Sequence, residues 1–343
     1  MKKLLNTLYI SNFNRYLSLE GENVVVLEED EVIGRVPLHN LQSIVTFGYT
    51  GASPALMRKC VENNISLIFM SKNGKSLARV TGELNGNVTL RREQYRIADD
   101  QVHSLEIAKK LMIGKIYNSR RVLERAMRDY PLRLDIAKLK ECSQFFSQSI
   151  EDVKKCESSE SLLGIEGKAA SAYFSIFDDL ILQQKDSFTF EIRTRRPPLD
   201  KVNALLSFSY SLLANMCTGA LEAVGLDAYV GFYHKDLPGR TSLALDLMEE
   251  LRSNFADRFV LSLINKKIIK ESDFITKESG AVLLTNDGRK TFLNHWQKKQ
   301  QEVIHHPFIK EKIEWGMVPY VQALLLARYI RGDLDGYPPF LWK

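Results

Sequence analysis

Near the amino terminus apolar and polar positions alternate over short runs. Thr7-Leu-Tyr-Ile10, Tyr16-Leu-Ser-Leu19 and Val24-Val-Val-Leu27 are rich in β-branched and aromatic residues, with Glu-Gly-Glu-Asn and Glu-Glu-Asp between them. Period-two runs bounded by turn formers predict strands, and further runs follow at Ile33 to Leu38, Ile44 to Phe47 and Ile65 to Met70. Their short spacing predicts hairpins. Ser53 before Pro54 predicts one interrupting helix to about Glu62, since the hydroxyl caps and the fixed φ of proline suits the first helical position. Asn73-Gly74 marks a tight turn, and Asn85-Gly-Asn leads toward an expected last strand around Val88.

From about Asp99 the period changes from two to nearly four. Ile107, Leu111, Ile116, Leu123 and Met127 mark one long amphipathic helix. Its polar side carries Lys109, Lys110, Lys115, Arg120, Arg121, Arg125 and Arg128, a bias that suits a DNA backbone and equally suits a solvated face. Residues Glu141 to Ser161 read as a polar helix or connector. Asp200 caps an apolar helix to about Gly219, further helices are expected from Leu243, Ser253 and His305, and Val282-Leu-Leu with Asn286-Asp-Gly predicts a minor hairpin. The fold class is therefore α+β. A small amino-terminal β domain, residues 1–95, precedes a larger and mainly helical domain, residues 96–343.

Composition narrows this picture modestly. A chain of 343 residues exceeds one typical domain. A formal charge of +5 permits nucleic-acid binding without requiring it. Cys60, Cys142, Cys156 and Cys217 show no CxxC spacing, so a reducing, cytoplasmic location without a zinc site is expected. No apolar run is expected to reach the roughly 18 residues of a membrane span, and the opening Met-Lys-Lys-Leu-Leu is interrupted too early for a signal peptide.

Chemistry concentrates in three segments. Gly231-Phe-Tyr-His234-Lys-Asp-Leu-Pro-Gly-Arg240-Thr-Ser-Leu-Ala-Leu-Asp246-Leu-Met-Glu249-Glu250-Leu-Arg252 gathers an imidazole, carboxylates and arginines around a turn and a helix start. Asp246 and Glu249, at i and i+3 on that helix, project from one face. Such a set suits Mg2+ or Mn2+, while the arginines suit a phosphate. A solvated helix face accounts for the same spacing. In Gly164-Ile-Glu166-Gly167-Lys168-Ala169-Ala170 the small residues predict a close approach at a helix start, leaving Glu166 partly buried and in need of a cation, either Lys/Arg or a metal. Arg193, Arg195 and Arg196, in an extended stretch ending in Pro197-Pro198, cannot all hide in a core; with Arg240 they are candidate phosphate contacts. The pair His305-His306 and the nearby His295 lack carboxylate partners, and they are assigned no metal.

These three segments, Gly-x-Glu-Gly-x-Ala-Ala-x-x-Tyr-Phe, Arg-Arg-Pro-Pro-x-Asp-x-x-Asn-Ala-Leu-Leu-Ser and His-x5-Arg-x-Ser-Leu-x-x-Asp-Leu-Met-Glu-x-x-Arg, resemble in order the motifs of the CRISPR-associated protein 1 family. The closing Gly336-Tyr-Pro-Pro-Phe-Leu-Trp-Lys343 is similar to the tail of its type I-C branch. The resemblance implies a CRISPR spacer-acquisition integrase and endonuclease whose Glu166, His234 and Glu249 are catalytic and hold the metal. Some relatives carry Asp at the third position, and Asp246 occupies the place of a further acidic residue that is a candidate ligand. It also implies DNA strand transfer around a single ion, with nicking by the same site. The expected partners are double-stranded DNA, a second copy in a homodimer, and a dimer of CRISPR-associated protein 2 in a heterohexamer. Arg120, Arg121, Arg125 and Arg128 then become candidate DNA contacts. Two other readings stand beside this one: a structure-specific DNA repair nuclease, and a non-catalytic DNA-binding scaffold.

Overall fold

The computed structural model describes residues 7–48, 51–71, 76–81 and 88–342. The predicted turns at Asn73-Gly74 and Asn85-Gly-Asn87 lie outside these. Among the described residues seven strands come first: β1 (Thr7–Ile10), β2 (Arg15–Glu20), β3 (Asn23–Glu28), β4 (Glu31–Pro37), β5 (Ser43–Phe47), β6 (Ser66–Met70) and β7 (Ser76–Val80). β2, β3 and β4 form the expected antiparallel meander. The other sheet runs β1-β5-β6-β7, and its first three strands are parallel. α1 (Pro54–Glu62), capped by Ser53 Oγ accepting from Leu56 N at 3.2 Å, is the crossover that parallel pairing of β5 and β6 requires.

Both faces of this sheet are covered. Ile44 and Leu67 join Leu17, Val24, Leu56 and Cys60 in a small core, whereas Val45, Phe47, Ile68 and Met70 point into the helical core. Successive side chains leave a strand on opposite sides, so one strand serves two cores.

Val88, expected in a strand, instead opens α2 (Val88–Asp99). Asp100 then caps α3 (Gln101–Asp129) by accepting from Val102 N and His103 N at 2.9 and 3.0 Å. α4 (Ile136–Lys155) buries Leu139, Cys142, Phe146 and Val153 and packs on α3. α5 (Ser159–Ser175) follows, and α6 (Lys201–Ala223) is capped by Asp200 accepting from Asn203 N at 2.7 Å. By length and composition α6 could cross a membrane, contrary to the expectation that no run was apolar enough. Some 61% of its apolar window is buried, however, and Leu205, Leu206, Leu213 and Leu221 lie wholly inside, as in a core helix.

α7 (Ser242–Glu249) is followed by a π-helical stretch, Arg252–Asp257, that runs on into α8 (Arg258–Asn265), so the helix expected from Ser253 is present with its first residues π-helical. β9 (Val282–Leu284) is the strand expected at Val282-Leu-Leu, but it pairs with the preceding β8 (Phe274–Thr276), and the hairpin expected across Asn286-Asp-Gly is not formed. Those residues open α9 (Asn286–Gln301) behind the cap Thr285, because Asn, Asp and Gly serve helix starts as readily as turns. His305 ends β10 (Val303–His305), paired with β11 (Lys312–Glu314), and the expected helix starts only at α10 (Val318–Ile330). His306 is fully buried beside Gln322 (Nε2 to Oε1, 3.1 Å), and burial lowers its pKa to about 4. All four cysteines are free and buried.

The chain closes with an irregular tail held by two buried residues. Glu250 accepts from Tyr337 Oη at 2.5 Å, from Gln322 Nε2 at 3.1 Å and from the backbone N–H of Phe340. Burial pushes its carboxyl up to about 8. Asn118 on α3 donates to the carbonyls of Glu250 and Phe340 at 2.8 and 2.6 Å, and accepts from Trp342 N at 3.1 Å.

Candidate metal centre

The centre is built where α3, α5 and α7 meet. The segment before α7 is pinned from behind: Gln94 Nε2 donates to the carbonyls of Asp227 and Val230 at 2.8 and 2.9 Å, and Ser104 Oγ to that of Phe232 at 3.0 Å. Asp246, fully buried, gathers the next three residues. Its Oδ2 accepts from Phe232 N and Tyr233 N at 2.7 and 2.9 Å, and its Oδ1 from His234 N at 2.9 Å and Nδ1 at 2.6 Å. Both oxygens are thereby engaged. Asp246 is thus an orienting residue in this geometry, which departs from its candidacy as a further ligand. With Nδ1 donating to Asp246, His234 presents Nε2 as the acceptor, the arrangement common behind metal-binding imidazoles.

Gly231 makes this turn possible. A Cβ there would lie 2.8 Å from the His234 carbonyl oxygen, 2.9 Å from Ser242 Cβ and 3.0 Å from Asp246 Oδ2. Two of these neighbours are backbone or a buried carboxylate and cannot swing away. Gly231→Ala is therefore expected to cost about 1 to 3 kcal/mol, the range for overpacking, in a chemical melt.

Glu166 lies in the middle of α5, not at a helix start, and Gly164 and Gly167 face open space instead of a close neighbour. Its carboxylate is held by Lys115 Nζ on one oxygen and by Tyr233 Oη at 3.3 Å on the other. The same ammonium lies 2.8 Å from Glu249 Oε2, while Arg252 Nη2 lies 3.0 Å from Glu249 Oε1. Lys115 approaches Glu249 off the hydrogen-bond direction, so that buried oxygen has no aligned donor. Burial alone would push the Glu249 carboxyl up, yet the charges of Arg252 and Lys115 pull it down to about 2. It is an anion at neutral pH.

Among the described residues, no three His, Cys, Asp or Glu side chains stand close enough as placed to enclose a metal ion. The donors nonetheless fit a hard divalent cation: two carboxylates bridged by one cationic group, a buried carboxylate oxygen that meets only that ammonium, and an imidazole nitrogen left free. The cation now between the carboxylates is the Lys115 ammonium. Beside it a pocket is lined by Lys115, Glu166, Arg195, Tyr210, Arg252 and Asp257.

The arginines divide sharply. Arg195 lines that pocket and is exposed, and Arg196 is exposed beside it. Arg193 is instead tied inward, donating to Asn203 Oδ1 at 2.7 Å and Ser207 Oγ at 3.1 Å and lying 5.3 Å from the Tyr210 ring centroid. Arg240 braces its own loop through the Lys235 carbonyl and Ser242 Oγ. On α3, Arg120 and Arg121 pair with Glu124, and Arg125 and Arg128 with Asp129, so the basic face is less free than its composition suggested.

Sequence reasoning placed Lys115 on the exposed basic side, gave Tyr233 no role, and read Arg252 as a phosphate contact without its pairing to Glu249. A signal for Lys115 existed: it stands four residues after Leu111 and four before Ser119, both buried, hence on the inward face.

The sequence pattern of the family described as CRISPR associated protein Cas1 matches residues 8–298. "CRISPR-associated endonuclease Cas1 1" of Chlorobaculum tepidum is 47% identical over 343 residues, covering 100% of each chain. Among solved structures, "Casposase bound to integration product" superposes with a TM-score of 0.84 at 24% identity, over 99% of this chain and 95% of the other. "Cas6-RT-Cas1--Cas2 complex" does so with a TM-score of 0.80 at 23% identity, over 100% of this chain and 36% of the larger one. At these identities the structural likenesses establish the fold.

Proposed function

Because the chain belongs to the Cas1 family of CRISPR-associated endonucleases, we propose that it is a metal-dependent integrase inserting short DNA fragments into a CRISPR repeat array, and that it nicks DNA with the same site. The observation carrying this reading is the meeting of Glu166 and Glu249 around one cation, beside an imidazole oriented by Asp246. Glu166, His234 and Glu249 would hold one Mg2+ or Mn2+, which when bound polarises the scissile phosphate and offsets the charge developing on it. The protein's own groups do the rest. Asp246 keeps the imidazole aimed, Tyr233 steadies Glu166, and Arg195 and Arg252 flank the pocket in which a phosphate is positioned. The 3′-oxygen of the fragment forms a bond to phosphorus while the bond to the repeat's own ester oxygen breaks, so one phosphodiester replaces another. Water in place of the 3′-hydroxyl leaves a nick.

The β-rich residues 1–95 then serve dimer formation, and two such dimers flank a dimer of CRISPR-associated protein 2, with double-stranded DNA bound across the assembly. A fold shared with a casposase on an integration product and with a Cas1–Cas2 complex supports this reading. So does the tail similar to the type I-C branch.

The test is transfer of a labelled fragment with a free 3′-hydroxyl into supercoiled repeat DNA, with the small partner present. Joining is expected with Mn2+ or Mg2+ and none after chelation; joining undiminished by chelator, or by Glu166→Gln, would overturn the proposal. Cleavage of branched DNA alone, indifferent to the partner, would favour the repair nuclease.

The arginines give a separable result. Arg195→Ala is expected to lower the joining rate more than DNA affinity. Neutralising any one of the four α3 arginines should move the salt slope of binding by less than about one, since a lost phosphate contact is worth roughly that much and each is already paired. Anisotropy titrations across salt concentrations read both.

A further inference from the structure

We propose that Lys115 is a tethered cation which makes divalent-cation binding and DNA-phosphate binding depend on each other. The inference rests on the assignment of Glu166, His234 and Glu249 as the cation-holding set. Lys115 Nζ bonds Glu166 Oε1 and lies 2.8 Å from Glu249 Oε2, so it stands between the two carboxylates that would hold the ion. It is delivered by a rigid element, not a loop: α3 packs on α4, α7 and the π-helical stretch, and the Lys115 side chain is 14% exposed.

The local balance of charge governs this coupling. Lys115 and Arg252 balance Glu166 and Glu249, while the Asp246 carboxylate is taken by His234 and three backbone N–H groups. With the Asp246 carboxylate counted and its imidazole partner neutral, the set carries one negative charge, so an added divalent cation leaves an excess of one positive charge. The space is walled by Phe146, Ala169, Tyr173 and Phe174, where charges are weakly screened and such an excess is costly. A phosphodiester in the adjoining pocket, beside Arg195 and Arg252, offsets that excess and gives the Lys115 ammonium a new partner as it leaves the carboxylates. Divalent cations therefore bind weakly to the DNA-free chain and tightly once a phosphate is seated. By linkage the cation strengthens phosphate binding by the same factor. A nuclease centre wired this way stays unloaded until its substrate is in place.

The experiment measures Mn2+ affinity by the electron paramagnetic resonance of free Mn2+, using the full chain, with and without a short saturating duplex ending in a 3′-hydroxyl. For the native chain the duplex is expected to tighten Mn2+ binding by about tenfold or more, within the usual range for coupled sites. Lys115→Met should bind Mn2+ without DNA about tenfold tighter than the native chain, with most of the DNA effect gone, and Lys115→Arg should keep the native pattern. Unchanged or weaker DNA-free affinity in a folded Lys115→Met chain overturns the role of Lys115. Should that variant fail to fold, absence of any DNA effect in the native chain overturns it equally. Glu166→Gln and His234→Ala separate the two readings. If neither alters Mn2+ affinity the cation-holding set itself is wrong, whereas if both abolish it and Lys115→Met does not tighten it, only the coupling fails.

Discussion

His234→Ala is expected to abolish strand transfer, by at least about a hundredfold, in a protein that still folds and binds DNA. The imidazole lies in a loop, is 23% exposed, and makes one bond to Asp246 besides an edge contact with Tyr233. Removing it leaves Asp246 with three backbone donors, so the fold should lose only about 1 kcal/mol, the net worth of one hydrogen bond. The proposed holding set of two carboxylates and one imidazole has no spare donor. Gel-resolved transfer products and a thermal melt report the two halves of this outcome. Transfer near the native rate with metal supplied would remove His234 from the chemistry.

Asp246→Ala should show the opposite balance. Its carboxylate is wholly inside and satisfies three N–H groups and the imidazole, all of which the substitution would leave without an acceptor. Breaking a buried charged network of this kind costs about 3 to 5 kcal/mol. Asp246→Asn should be intermediate, since its amide turns a donor toward existing donors. Glu249→Ala, by contrast, should lose transfer with a smaller loss of stability. Urea midpoints rank the three, and equal midpoints for Asp246→Ala and Glu249→Ala would refute the division between orienting and holding residues.

What the sequence disclosed tracked the range of the interaction involved. The strands from Thr7 to Met70 and the helix after Ser53 were legible because alternation and capping are local, and the structure keeps them nearly to the residue. Parallel pairing of β1, β5 and β6 was not, because it is fixed by a crossover and by cores on both faces. The same contrast runs through the centre. Glu166, His234 and Glu249 were singled out by their motifs, yet the contacts of Asp246 and Lys115 depend on which groups meet across α3, α5 and α7. Arg193 misled for a similar reason: its stretch is extended, but its guanidinium turns back onto α6.

The tail clasped by Glu250 and Asn118 changes how shortened versions of this protein should be interpreted. Glu250 adjoins Glu249 in sequence, and Asn118 lies one helical turn beyond Lys115, so both anchors share elements with the centre. Cutting before Gly336 would remove two donors to the buried Glu250 carboxyl, together with the Trp342 ring that meets Trp315 edge-on and lies under the Arg258 guanidinium. A truncated product that is inactive would then report damaged scaffolding and say nothing about reactivity. For the same reason, a purification handle is better placed at the amino end, away from a segment that is sewn into the interior.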